Sequence, residues 1–117
     1  MNVLDLSLGL QRELKRRKYF IRLEILEQTV SLIKARLYIS ADLFVQVYRN
    51  DRFQTTNFAL IHNGSRLFAR DELDGRWHRH IHTAPEKHDF SAEGQRRIEL
   101  QEFLDEVEKI LAELNLP

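Results

Sequence analysis

Residues Asp71–His88 read DELDGRWHRHIHTAPEKH, a window holding four of the chain's five histidines and its only tryptophan. His78, His80 and His82 recur at every second position. On an extended strand that spacing directs all three imidazoles to one face and Trp77, Arg79 and Ile81 to the other. A row of imidazoles makes a poor core surface, because each ring carries polar nitrogens that need partners. It suits a metal, a phosphate or a proton-transfer site.

Two chemistries follow from these residue types. Neutral imidazole ligates zinc, copper, nickel or iron, and a site with an open position permits hydrolysis. His78, His80 and His82, with His88 or Asp71 nearby, could supply three or four ligands to an ion such as zinc, although nothing in the residues requires a cofactor. Same-face neighbours on a strand stand about 6.5–7 Å apart, so three converge only if the strand twists or ends. No His-Glu-x-x-His or Cys-x-x-Cys motif narrows the choice. The other chemistry is metal-independent attack on a phosphodiester, with two histidines as general base and general acid. Arg70, Arg76 or Arg79 would then stabilise the growing charge, and Trp77 or Tyr48 would stack a base. The plainer reading is a solvated histidine face on an edge strand, hydrogen-bonded to Asp71, Glu72 or Asp74. Asp71 itself either caps the turn that follows or orients a histidine through its Nδ1 proton. His62, alone at a strand end, reads as structural.

The rest of the chain must position this segment. At 117 residues it is expected to form one domain with a single core. An apolar fraction of 43% and a charged fraction of 31% fit a soluble globular protein. The absence of cysteine removes disulfides, thiolate nucleophiles and cysteine-ligated zinc. The opening MNVLDLSLGLQRELKRR lacks the basic-then-apolar order of a signal peptide, and no apolar run approaches the roughly 18 residues of a membrane span. A cytoplasmic protein without a membrane partner is expected. Formal net charge is zero, from 18 basic and 18 acidic residues, but their distribution is uneven. Basic residues dominate up to residue 36, and acidic ones dominate from residue 89 onward. A basic face next to an acidic one is compatible with an RNA or phosphate ligand.

Propensity predicts a helix from Ser7, as N-cap, to about Arg17. Tyr19–Glu27 and Val30–Ser40 alternate as strands, joined either by a hairpin at Gln28–Thr29 or as one long bent strand. Leu43–Tyr48, Thr55–His62, Arg66–Asp71 and Trp77–His82 continue the β pattern. Asn63-Gly64 and Asp74-Gly75 are strong two-residue hairpin signals, and Pro85 is expected to stop the last strand. Ser91–Arg97 reads as an isolated helical turn. Leu100–Leu114 carries apolar residues at helical spacing over an acidic outer side. The prediction is an α+β domain: an antiparallel meander of five to six strands, with an N-terminal helix and a C-terminal amphipathic helix packed on the sheet. Exposed strand edges would invite pairing with a second copy, so a non-catalytic binding or homodimerisation module is the competing function.

KARLYISADLFVQVYRN (34–50), TTNFALIHNGSRLFARDE (55–72), WHRHIH with Pro85 and His88, and IELQEFLDEVEKIL (98–111) together resemble the TumE-type family. These are small bacterial and archaeal proteins associated with type II toxin–antitoxin pairs. The resemblance spans about residues 30–114 and rests on the order and character of segments. It departs after the arginine, where the family commonly shows Asp-Asn-Ala-Pro-His-His and this chain has Asp71-Glu72-Leu73-Asp74-Gly75. The resemblance implies a toxin-like role, acting on RNA, restrained by a helix-turn-helix antitoxin partner. It carries over Arg70, Asp71, His78, His80 and His88 as the catalytic positions.

Overall fold

The computed structural model describes residues 1–84 and 86–116, so the expected strand stop at Pro85 lies outside the described residues. Helix α1 (Val3–Arg16) precedes six strands, β1 (Arg22–Gln28), β2 (Leu32–Ser40), β3 (Leu43–Asn50), β4 (Thr55–His62), β5 (Ser65–Leu73) and β6 (Arg76–His80). Helix α2 (Leu100–Glu113) follows. The strands lie in sequence order in one antiparallel sheet, which is not closed. This is the α+β meander that the patterning predicts. No helix among the described residues is long and apolar enough to cross a membrane.

Turn chemistry sets the registers. Asn63 and Gly64 sit at φ 51° and 77°, and Asp74 and Gly75 at 52° and 80°. Both pairs adopt the left-handed conformation that a two-residue hairpin demands. Residues 19–40 form a hairpin rather than a bent strand. The Thr29 hydroxyl accepts from the backbone N–H of Ser31 and Leu32, turning the chain where Gly and Pro are lacking.

The first helix begins before Ser7, which is buried within it. Asn2 is the N-cap: its side-chain oxygen accepts from the Asp5 N–H at 2.8 Å. The Asp51 carboxylate, from the β3–β4 loop, accepts from the Val3 N–H at 3.0 Å. This second cap comes from 48 residues away, which local spacing cannot reveal. At the other end Arg17 is buried against α2, donating to Asp105 at 2.9 Å and to the Gln101 carbonyl at 3.1 Å, and pairing with Glu108. The basic run at the end of α1 therefore includes a structural tie between the two helices.

Both helices cover one sheet face. Leu6 and Leu10 of α1 and Phe103, Leu104, Val107 and Leu111 of α2 join Ile33, Leu37, Val45, Val47, Phe58, Leu60 and Phe68 in one core. The Phe103 ring lies 5.4 Å from both Phe58 and Phe68. Each fully buried large apolar side chain contributes about 1.5–3 kcal/mol, so the stripe of α2 suffices to hold it on the sheet. Its placement is set by a polar device. Arg70, 0% exposed in the middle of β5, donates to both Glu106 oxygens at 3.0 and 2.7 Å. It also reaches the Glu93 carbonyl at 2.6 Å and the Glu93 carboxylate at 3.0 Å. A fork-shaped cation held on two sides fixes both the helix and the loop before it.

Removing one partner of such a buried pair strands the other. We predict that Arg70→Leu lowers the urea unfolding free energy by about 3–5 kcal/mol, with Arg70→Lys intermediate because it loses the bidentate geometry. A loss under about 1 kcal/mol would show that the apolar stripe alone positions α2.

Candidate functional site

The site grows from the pairing of β5 with β6. Asp71 stands opposite His78 and Ala69 opposite His80, so all four side chains share the sheet face that the helices leave open. One Asp71 carboxylate oxygen, Oδ2, lies 3.4 Å from His78 Nε2 and 3.6 Å from His80 Nε2. Its other oxygen accepts a hydrogen bond from the Asn57 side chain, the cross-strand neighbour on β4. Asp71 thus contacts both imidazoles through Nε2 rather than Nδ1.

The third imidazole arrives from outside the sheet. Asp89 exchanges two backbone hydrogen bonds with Arg79, at 2.8 and 3.2 Å, and their side chains pair as well. The Asp89 carboxyl is held down at about 2, by the Ser91 backbone N–H and then by Arg79, so this tie stays ionised throughout the neutral range. An antiparallel bridge at 79/89 sets 80 opposite 88 and 78 opposite 90. Ring distances follow suit: 4.6 Å for His80–His88, 4.9 Å for His78–His88, 5.2 Å for His78–His80 and 5.3 Å for His78–Phe90. One ligand atom from each of His78, His80 and His88 lies within 4.8 Å of the others, and the trio could hold a metal ion. His78 and His80 are buried, and His88 is exposed.

The expected row of His78, His80 and His82 is thereby altered. Strand β6 ends at His80, and His82 turns away to place Nε2 3.0 Å from a Glu113 carboxylate oxygen on α2. His88 takes its place because the bridge, not the strand, delivers the third ring. The other expected residues divide by face. Arg70 and Arg79 point to the helix side, Arg70 to Glu106 and Glu93 and Arg79 to Asp89. Trp77 is 6% exposed and packs 6.4 Å from the Phe58 ring, within the core. Tyr48 lies on the histidine side, but three strands from β6, in the row Lys34–Tyr48–Asn57–Asp71–His78. Arg76 is exposed at the start of β6.

The cation beside the histidines is Arg66, whose Nη2 lies 3.3 Å from His80 Nδ1. Strict alternation from Asp71 and Ala69 would put Arg66 on the helix side. A bulge at Leu60/Ile61 pairs Ile61 with Arg66 and brings it across. A guanidinium can only donate, so in this contact Nδ1 of His80 accepts and the ring proton sits on Nε2, facing Asp71. Burial, the largest influence, lowers the pKa of His78 below its usual 6.5; Asp71 opposes the shift, while His88 and Arg66 reinforce it. At neutral pH His78 is an uncharged imidazole, the form that accepts a proton or ligates a metal.

Arg66, Asn57 and Phe90 are site neighbours that the sequence reading did not include. Asn57 was accessible in principle, by alternation from Ala59 and Ile61. Arg66 and Phe90 depend on a bulge and on a bridge that carry no local signal.

No protein-family model matches the chain, and neither the curated proteins nor the solved structures contain a significant match.

Two titrations test this electrostatic account. Asp71→Asn removes the one attraction that favours the charged ring, so the His78 pKa falls further; Arg66→Gln removes a repulsion, so it rises. Histidine ring-proton NMR reads both directions, and a shift of the opposite sign in either variant contradicts the account. Because the folded pKa lies below the unfolded one, the unfolded chain binds more protons between the two values. His78 therefore has no effect on stability above about pH 6.5, and costs stability as pH falls from there through its folded pKa. The stability of wild type minus that of His78→Gln should fall as pH drops below about 6.5 in denaturation curves, and a rise would contradict the account.

Proposed function

We propose that His78, His80, His88 and Asp71 form a divalent-metal centre for hydrolysis of a phosphodiester, with single-stranded RNA as the substrate class. The observation that carries this reading is the spacing of the groups. Bonds of about 2.0–2.1 Å to imidazole or carboxylate place the ligand atoms of a tetrahedral site about 3.3–3.4 Å apart. The Asp71 oxygen lies 3.4 and 3.6 Å from two imidazole nitrogens. The proximity favours the metal over the metal-free mechanism.

The surrounding groups fit as supports. Asn57 holds the outer oxygen of Asp71, as partners of metal-ligating carboxylates commonly do. His78 is held in its neutral form by burial. Zinc, nickel or manganese bound here would polarise a phosphoryl oxygen and lower the pKa of bound water. Arg66 would pair with the phosphate, leaving His80 Nδ1 as it did so, because Nε2 must shed its proton to ligate. The ring proton of His80 would move to Nδ1, and binding would weaken at acid pH, where protons compete for the imidazole nitrogens. The uncovered sheet face beyond the histidines carries stacked cations and rings, Arg22 4.2 Å over Tyr38 and Arg36 4.8 Å over Phe44. Such a surface accommodates a single strand. The resemblance noted above adds a toxin-like role under a helix-turn-helix partner. Ile21, Leu26 and Val30, exposed along the outer edge of the sheet, offer that partner an apolar seat.

Protein purified without an affinity tag should carry, or take up in zinc and nickel titrations, one ion per chain. His78→Ala with His80→Ala should abolish uptake, and Asn57→Ala should weaken it about 10–100-fold. Arg66→Leu should strengthen it, since a positive charge leaves the site. Sub-stoichiometric uptake by folded wild-type protein removes the metal reading. In a bacterial host, expression should arrest growth and cleave RNA, and both effects should vanish in the double histidine variant. Uptake of metal without either effect would leave a metal-binding module and remove the hydrolase.

A further inference from the structure

Phe90 belongs to no part of the core, yet it is held in place from two directions. Its backbone carbonyl accepts from the Gln95 side chain, and the residue before it is bridged to Arg79. The ring, 58% exposed, lies nearly parallel to His88 at 12° and 5.9 Å. Its other surroundings form a cleft of about 540 Å³ lined by Gly75, Arg76, Trp77, Phe90 and Gln95. Small-molecule sites typically enclose about 300–1,000 Å³, so the cleft has room for one planar ligand and its substituents. Gly75 lies in the tight turn between β5 and β6, at φ 80°. The turn thus leaves the floor of the cleft without a side chain.

The lining has a distinct composition. Two aromatic side chains, the exposed Phe90 and the largely buried Trp77, provide apolar walls. Gln95 supplies a carboxamide, which can both donate and accept. Arg76 adds a cation at the rim. Stacking surface, amide edge and guanidinium together recognise an aromatic heterocycle bearing an anionic group. The cleft and the imidazole cluster share Phe90 as a common wall, so a ligand in one is adjacent to a ligand in the other.

We propose that this cleft is a nucleobase subsite, which stacks the base flanking the phosphate held at the histidine cluster and takes its 5′-phosphate on Arg76. This inference rests on the phosphodiester reading for its biological meaning, but not for its test. Trp77 is the only tryptophan and lines the cleft, so its emission reports occupancy without any cleavage.

The experiment titrates metal-depleted wild-type protein with the four ribonucleoside 5′-monophosphates, and with ribose 5-phosphate as the base-free control. Saturable changes with at least one nucleotide, and none with the control, are expected. Phe90→Ala should weaken the nucleotide about five- to hundredfold, the loss of one base stack, and Phe90→Tyr should restore it. Arg76→Gln should weaken nucleotides more than the corresponding nucleosides. Circular dichroism and the ring resonances of His78 confirm that each variant folds. Equal response to ribose 5-phosphate, or unchanged affinity in a folded Phe90→Ala protein, overturns the subsite. Nucleotide binding that depends on Phe90, in a protein that never cleaves RNA, supports the subsite and removes the hydrolase reading instead. RNA cleavage unaffected by Phe90→Ala separates them in the other direction.

Discussion

Burying one face of a six-stranded sheet under two helices forces every strand residue to sort by parity, and that sorting governs the chemistry open to each. On β5, Arg70 and Asp71 are consecutive, yet they face different worlds. Arg70 meets Glu106 and Glu93 beneath α2. Asp71 meets two imidazoles and an amide on the open side. On β6, Trp77 enters the core while His78 joins the site. A one-residue slip of this hairpin would exchange the two sets, burying a cluster of imidazoles among leucines and exposing the arginine that secures α2. The Asp74-Gly75 turn prevents that slip, since its two left-handed residues admit one register. The histidine cluster on the open face and the packing of the covered face are thus set by the same two residues of turn.

This explains which parts of the molecule were legible in the chain and which were not. Asn-Gly and Asp-Gly pairs specify their own backbone conformation, so the meander was readable from them. The stripe of α2 was equally plain, because seven-residue periodicity is a local property. The start of α1 was not, because Asp51 in the β3–β4 loop caps it from 48 residues away. Among site residues, alternation correctly gathers His78 and His80 on one face, where Asp71 also lies. It misplaces Arg66, since a bulge adds a residue to one strand and inverts parity beyond it. It also prefers His82 to His88, because nothing local to residues 86–90 announces a bridge. Arg70 was expected to stabilise negative charge growing on a phosphate, and a guanidinium does need an anion. The anion was supplied from within the fold.

The charge balance at the site shows why it invites an additional group. Three imidazoles and a guanidinium surround a single carboxylate, in a pocket where two of the rings are buried. Protonating the rings would set like charges within 4.6–5.2 Å of one another, which burial makes costly. Neutral rings each keep one N–H and one lone pair. Asp71 can accept from the Nε2 side of His78 and His80, and Arg66 donates to Nδ1 of His80. One ligand atom from each of His78, His80 and His88 lies within 4.8 Å of the others, so the trio could hold a metal ion.

Delivery of the third ring is the step that couples the site to the rest of the fold. His78 and His80 are carried by a strand whose neighbours fix them. His88 depends on a segment tied at three places: Asp89 to Arg79, His82 to Glu113, and Gln95 to the Phe90 carbonyl. Two of those ties end on elements that are themselves held by Arg70. Glu93, from the same segment, and Glu106 of α2 both bind its guanidinium. The arginine that parity excludes from the histidine cluster is therefore still linked to it, by fixing α2 and Glu93, to which the described residues on either side of His88 are tied. Loss of that buried cation would loosen α2 and His88 together, whereas loss of Asp71 would disturb the cluster and leave the helix seated. The two faces of the sheet are chemically separate, but the chain that leaves β6 joins them mechanically.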